Sequence, residues 1–494
     1  MRCPWRPSQL AVLEDGEFDV LVIGGGIVGA GVLYAAARQG LRAVLIDQSD
    51  FAFGTSSRSS RLLHGGLRYL AQGRVRLVFE ASQEKLRLAR VIPHLVQPLP
   101  FVFPSYRGSS WRLWQLWVGV KIYDALCFGR NFGASRTIWH PELDQVAPGL
   151  RPRGLRGAVR YFDALTNDAR LVVDTLRGAC KRGAIALNYV RLQSAQRIGS
   201  LWQCEVVDEI FHHIWWPKAR CIVNATGPWG SNFPQSQLLL RLTKGIHLVV
   251  DRAKLPVNEA IVLAEGRRIL FAIPWGERVI LGTTDTDYSG YLEEIPINNE
   301  DVDYILRVVN EYFPASPLTQ SDIRAAWAGV RPLLWSDSGG PSDISRAHVI
   351  YVNEEGWVDI AGGKLTTYLR MGEQAVAQVL KLLGRPARPV DPGEPILDPS
   401  EARVGVLPPE PSDTLVEQIC REEWVCHLDD IMIRRTSWHS YRSDVATLAD
   451  RISRQMARLF GWSERERQME LDRYRKICSS TFVPWVETAP TEAK

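Results

Sequence analysis

The chain has no run of about 20 apolar residues, so no bilayer-spanning helix is expected. It has no basic run either. The 59 Lys and Arg stand against 55 Asp and Glu, leaving a net charge of only +4. A nucleic-acid binder driven by phosphate contacts needs a basic footprint, so no nucleic-acid partner is expected. Eight cysteines, Cys3, Cys127, Cys180, Cys204, Cys221, Cys420, Cys426 and Cys478, form no C-x-x-C pair and no Cys/His metal spacing. No metal site is expected, and the thiols fit a reducing cytoplasm. Residues 1–17 lack the apolar core and small-residue cleavage site of a signal peptide and read as a short leader into the first strand.

What is present is an ordinary globular composition, 46% hydrophobic and 23% charged. At 494 residues the chain exceeds one hydrophobic core, and two or three domains are expected. The clearest element is the β-branched run Phe18-Asp19-Val20-Leu21-Val22-Ile23. A glycine turn follows, then a helix of small residues from Ala30 to Arg38, then a second strand from Ala43 to Asp47. This is a βαβ opening. Gly24, Gly26 and Gly29 match G-x-G-x-x-G: one for the tight turn, one for approach to a diphosphate, one for close packing of helix on strand. The helix N-terminus offers free N–H groups to that diphosphate. Asp47, about twenty residues on, is placed to accept ribose hydroxyls.

Two later strand–turn segments favour FAD over NAD. Cys221 to Trp229 ends in Ala-Thr-Gly, with Thr226 and Gly227 at the turn. Ile360 to Tyr368 carries Gly363, Lys364, Leu365 and Thr366 into a helix start. An N-terminus aimed at the flavin would stabilise the negative charge of its reduced form. By pattern alone both segments also suit ordinary βα loops.

Further strands are expected at Trp202 to Val207, Cys221 to Asn224, Ile246 to Val250, Ile269 to Ile273 and Val279 to Gly282, as in an antiparallel sheet. Helices are expected at Leu77 to Val91 and Asn299 to Tyr312. Residues 384–411 are proline-rich and read as a linker, and 414–474 look helical and charged.

The segment Gly54-Thr55-Ser56-Ser57-Arg58-Ser59-Ser60-Arg61-Leu62-Leu63-His64-Gly65-Gly66-Leu67-Arg68-Tyr69-Leu70 resembles the signature of FAD-dependent glycerol-3-phosphate dehydrogenases almost position for position. Lys244 to His247, Gly282 to Tyr288, Gly329 to Leu333, Gly363 to Tyr368 and Leu428 to Thr436 are similar too. The resemblance runs from about Phe18 to Thr436. Asp47 stands where that family more often has glutamate, and Arg61 replaces a usual lysine. After Thr436 the pattern is followed poorly, which leaves the C-terminal cap and any homodimer contact open.

The resemblance implies an α/β fold: a Rossmann-type FAD-binding domain, an antiparallel-sheet substrate domain in the D-amino-acid-oxidase-like arrangement, and a small α-helical C-terminal domain. The expected division is residues 1–90, 150–235 and 325–384 for FAD; 91–149 and 236–324 for substrate; 385–411 as linker; 412–494 as cap. It implies oxidation of sn-glycerol 3-phosphate to dihydroxyacetone phosphate by hydride transfer to flavin N5, with electrons passed to a membrane quinone. An oxygen-using oxidase and a non-catalytic FAD-binding relative are the alternatives.

Arginine suits a phosphate grip because its planar fork pairs bidentately with the oxygens. By resemblance Arg331 and Arg346 hold the phosphate and Arg68 sits near the reacting end; ordinary surface ion pairs are the competing reading. His247 is the candidate base, with a satisfied sheet histidine as the alternative. His64 competes for a flavin-adjacent role. Lys364 is expected to neutralise reduced flavin or orient substrate, and Tyr69 to line the pocket. Thr55, Ser56 and Ser57 offer hydroxyls to the cofactor or simply cap their loop. Asp285 and Asp287 are expected in turns or caps, since acids in the pocket would repel an anionic substrate. The stretch Trp111 to Tyr123 is aromatic, apolar and flanked by Arg107, Arg112, Lys121 and Arg130. It reads either as a buried helix or as a contact with an anionic membrane surface, giving a cytoplasmic protein peripheral to the cytoplasmic membrane.

Overall fold

The computed structural model describes residues 6–14, 16–70, 72–266, 268–335 and 348–485; the Arg68 side chain lies outside that description. Two sheets organise these residues. The first has nine strands, and its parallel centre consists of Glu17–Ile23 flanked by Lys218–Asn224 and Ala43–Ile46, with Ile185–Leu187 beyond. Val20, Val22, Leu45 and Val223 are fully buried because helices cover this sheet. Each such side chain contributes about 1.5–3 kcal/mol on burial. Trp357–Gly362 adds a further parallel partner to Lys218–Asn224. Leu201–Asp208 and Val190–Ile198 form an antiparallel extension.

The second sheet has ten strands. Leu240–Asp251 pairs along its length with Ile323–Leu334 on one side and Arg278–Gly282 on the other. Gln97–Tyr106 pairs with Leu155–Leu165, and Leu62–Leu63 closes that edge. All pairings are antiparallel except Ala260–Glu265 with Gln97–Tyr106. Strands of both sheets line one cavity, which is where the candidate site lies.

Several expectations need correcting. Leu155–Leu165 and Ile323–Leu334, assigned by sequence to the cofactor unit, are strands of the second sheet. Cys221 to Asn224, read as part of an antiparallel sheet, pairs in parallel with Glu17–Ile23 and Trp357–Gly362, while Leu201–Asp208 is antiparallel as expected. The cause is the same in each case: apolar alternation marks a strand but not its partner. The supposed leader is part of the fold, since Arg6 is buried and its Nε donates to Asp208 Oδ1 at 3.0 Å. The proline-rich stretch is strapped down, with Arg388 N–H on Gln39 (2.7 Å) and Ile396 N–H on Val91 (2.9 Å). The C-terminal region is helical, with Asp413–Glu422, Val445–Phe460 and Glu464–Ser480. Its core around Trp438 and Met456 merges with Trp275 and Trp327 of the second sheet.

Candidate active site

The first sheet builds the nucleotide end. Gly24 has φ +101°, and a Cβ on Gly29 would lie 1.8 Å from the Gly24 carbonyl oxygen, so strand and helix approach only without side chains there. The helix Ile27–Arg38 starts immediately after Gly26. The Ile27 N–H donates to Ser56 Oγ at 2.9 Å, tying the Thr55–Ser57 turn to the helix opening. Asp47 accepts from the Gly25 N–H at 2.6 Å and the Ser49 N–H at 2.8 Å. Burial pushes its carboxyl up to about 7, against the opposing pull of those two donors. Thr226 donates to Asn224 at 2.7 Å and Gly227 opens the following turn.

The second sheet builds the other end. Leu240–Asp251 carries Gly245 and His247, and Ile323–Leu334 carries Arg331, with Gly245 opposite Gly329. A Cβ on Gly245 would lie 2.3 Å from Arg331 Nη2, so the bare glycine gives the guanidinium its seat. Arg331 donates to Thr283 Oγ1 (2.9 Å) and the Thr284 carbonyl (3.3 Å), and pairs with Asp285 (3.3 Å). His247 is buried, stacks on Trp327 with centroids 5.4 Å apart, and shares a 2.7 Å hydrogen bond between Nε2 and Ser60 Oγ. Its Nδ1 has no hydrogen-bond partner among the described residues. Burial, then the charges of Arg331 and Arg61, push its pKa down to about 3, so the ring is neutral at physiological pH. The Lys364 ammonium sits 4.2 Å from the centre of the Tyr69 ring, a cation–π contact. Thr366 Oγ1 accepts from the His64 N–H at 3.1 Å, joining the last glycine turn to the His64–Tyr69 loop.

Both ends open on one cavity of about 1270 Å³. Its wall includes Gly24, Gly26, Asp47, Thr55, Ser56, His64, Tyr69, Thr226 and Gly227, then His247, Arg331, Gly363, Lys364 and Leu365. Gly29, Ser57 and Thr366 stand back from the wall. Arg346 and the Arg68 side chain, both expected at the phosphate or reacting end, lie outside the described residues. Asp285 and Asp287 are ion-pair partners rather than turn or capping residues, of Arg331 and Arg241 respectively. Acid in the wall is tolerated because Arg331 neutralises it. Sequence reasoning passed over Ser60 and Arg58 as site residues, although both stand in the serine-rich signature; nothing local signals that one meets His247 and the other faces the cavity.

The wall suits FAD. A glycine turn opens a helix N-terminus, a carboxylate stands at the next strand end, and the cavity continues from these to a second set of polar groups some two hundred residues further along the chain. Among the described residues no His, Cys, Asp and Glu cluster fit to hold a metal occurs.

Comparison with known proteins agrees. Residues 19–369 match the FAD dependent oxidoreductase family. The chain is 34% identical, over 383 residues, to the aerobic glycerol-3-phosphate dehydrogenase of Staphylococcus aureus (strain USA300), covering 75% of this chain and 68% of that protein. The structure of a Bacillus halodurans glycerol-3-phosphate dehydrogenase complexed with FAD superposes with a TM-score of 0.78, at 25% identity and 99% coverage of both chains. The Mycoplasma pneumoniae L-α-glycerophosphate oxidase with FAD bound, at 14% identity, 76% and 98% coverage and a TM-score of 0.56, shares the fold. The cavity between two sheets, with its glycine cradle and its Arg331–His247 face, is therefore that of a FAD-dependent oxidoreductase, and the chain belongs to the FAD-dependent glycerol-3-phosphate dehydrogenase family.

Proposed function

We propose that the protein oxidises sn-glycerol 3-phosphate at its secondary alcohol to dihydroxyacetone phosphate and passes the electrons to a membrane quinone. The observation that carries this reading is the convergence of Arg331 and a neutral His247 on the wall that also holds the nucleotide-binding glycines.

FAD, when bound, supplies the two-electron acceptor for the carbinol hydrogen. Arg331 binds the phosphate; Thr283 and Asp285 fix its fork, so little rotamer freedom is lost on binding. His247 takes the hydroxyl proton. Ser60 Oγ holds Nε2, and the stack on Trp327 fixes the plane of the ring. A pKa near 3 makes a weak base, but a substrate dianion beside Arg331 offsets that guanidinium and raises the proton affinity of the imidazole. Lys364, held over Tyr69, orients the polyol end of the substrate. Arg346 and Arg68 complete the grip in this reading, and the Thr55 and Ser56 hydroxyls and Asp47 hold the cofactor.

The test is anaerobic addition of glycerol 3-phosphate to the flavin-loaded protein. Loss of the oxidised flavin absorbance is expected, and an unchanged spectrum overturns the proposal. Re-oxidation by a soluble quinone without peroxide supports the quinone; rapid peroxide release in air assigns an oxidase instead. Arg331→Met should raise KM on the order of 100-fold through loss of a charge-assisted pair. His247→Asn should lower kcat about 10²–10⁴-fold.

A further inference from the structure

The serine-rich loop holds a cation that the reading above does not use. Arg58 lies on the wall of the same cavity. Its guanidinium makes no hydrogen bond and no ion pair among the described residues, and its one close partner is the Phe53 ring, 5.1 Å from Cζ to centroid. The contrast with its surroundings is sharp. Arg331 is paired with Asp285, Arg434 with Asp50, Asp429 and Asp430, and Arg61 with Asp168. A guanidinium carries five donors, and an aromatic face satisfies none of them fully. A half-buried cation facing a cavity with unmet donors is a site for an anion.

We propose that Arg58 grips the diphosphate of FAD. The position of the loop selects this anion over the substrate phosphate. The Arg58 N–H donates to the Thr55 carbonyl at 3.1 Å, so Arg58 closes the same turn whose Ser56 Oγ is bonded to the helix-opening Ile27 N–H. A diphosphate settles at such a helix N-terminus. The Arg58 side chain lies over Phe53, whose ring Arg434 also approaches, at 5.9 Å. Arg434 is bound to Asp50, three residues beyond the ribose-side Asp47. This is the nucleotide side of the cavity, whereas Ser60, two residues on, reaches His247 at the reacting side. The loop is seated firmly: a Cβ on Gly329 would lie 2.9 Å from the Arg58 carbonyl oxygen. Burial and then the neighbouring Arg434 charge hold the Arg58 pKa down to about 10, a penalty that an anion beside the Arg58 guanidinium relieves.

The test uses flavin-depleted full-length protein and needs no turnover. FAD affinity is measured by flavin fluorescence for the native protein, Arg58→Met and Arg58→Gln at two salt concentrations, with ADP and adenosine as competitors. Both variants should bind FAD about 10–100-fold more weakly. Both should show a flatter salt dependence and should lose most of the preference for ADP over adenosine. Native FAD affinity with an intact ADP preference in either folded variant overturns the proposal. So does a salt dependence of FAD binding as steep in both folded variants as in the native protein. Because the readout is cofactor binding without substrate, this result stands apart from the fate of the proposed reaction.

Discussion

At the scale of single residues, the cofactor end is set by a carboxyl held close to its titration point. Asp47 is pushed up to about 7 by burial, with the Ser49 and Gly25 N–H groups pulling the other way. In the proposed reading ribose hydroxyls donate to the ionised form, so FAD binding and ionisation would favour each other. FAD affinity should therefore rise with pH up to about 7 and level off above it. Between pH 8 and pH 6 the dissociation constant should increase up to about tenfold, one decade per pH unit below the pKa. Fluorescence titration at the two pH values checks this, and Asp47→Asn should abolish the dependence; a flat native profile sinks the idea. The places of Gly24, Gly29 and Asp47 in the fold were legible in the sequence because their geometry is local, a turn followed by one helix and one strand. The Ser60–His247 bond and the Arg331–Asp285 pair were not, since they join residues 187 and 46 positions apart. Each contact joins a strand residue to a loop residue from elsewhere in the chain, which no single segment encodes.

At the scale of elements, the aromatic stretch left open by sequence is a helix with one buried and one exposed face. The helix Leu113–Leu126 buries only Leu116, Val120 and Tyr123, a single stripe at helical spacing. Tyr123 anchors it from inside, accepting from the Gly65 N–H at 2.8 Å and donating to Asp163. Trp114 and Trp117 point outward, 62% and 46% exposed, with Ile122 and Val118 beside them. The same helix borders the cavity through Gln115, Leu116, Val118, Gly119 and Ile122, so part of its exposed apolar face lies at the cavity mouth. No described helix is long and apolar enough to cross a membrane. An outward tryptophan face with Arg112 and Lys121 at hand suits the headgroup layer, and it would bring a membrane-dissolved acceptor to the cavity mouth. Trp114→Ser with Trp117→Ser should weaken binding to anionic liposomes at least tenfold, since each buried aromatic side chain supplies about 1.5–3 kcal/mol. Flotation or sedimentation reads the loss, with flavin content as the folding control. Undiminished binding refutes this surface. The two tryptophans were visible in the sequence; which way they face depends on what the second sheet covers.

At the scale of the whole molecule, the C-terminal helices are joined to the cofactor unit by buried charge as well as by apolar contact. Asp50, fully buried, accepts from Arg435 Nη1 and Nη2 at 2.8 and 2.7 Å and from Arg434 Nε. Asn188 adds a 2.9 Å bond to the same carboxylate. The two arginines end the Leu428 to Thr436 motif, so that motif acts as a clamp on the loop between Asp47 and Thr55. Removing one partner of such a pair strands a buried charge, which costs about 3–5 kcal/mol. Asp50→Ala should lower unfolding free energy by that amount in urea and raise hydrogen exchange in Val445–Phe460 and Glu464–Ser480 more than in Glu17–Ile23. The pH dependence has a definite sign. Burial alone would raise the Asp50 pKa, but the Arg435 and Arg434 charges outweigh it and hold it below its ordinary value. A carboxyl depressed in the folded state contributes stability that is complete above the unfolded pKa of about 3.9 and is lost as pH falls through the folded one. The deficit of Asp50→Ala should therefore be full at pH 7 and shrink toward the native value under strong acid. A deficit that stays constant into that range would mean that Asp50 serves through packing alone, and native stability at pH 7 would remove the clamp altogether.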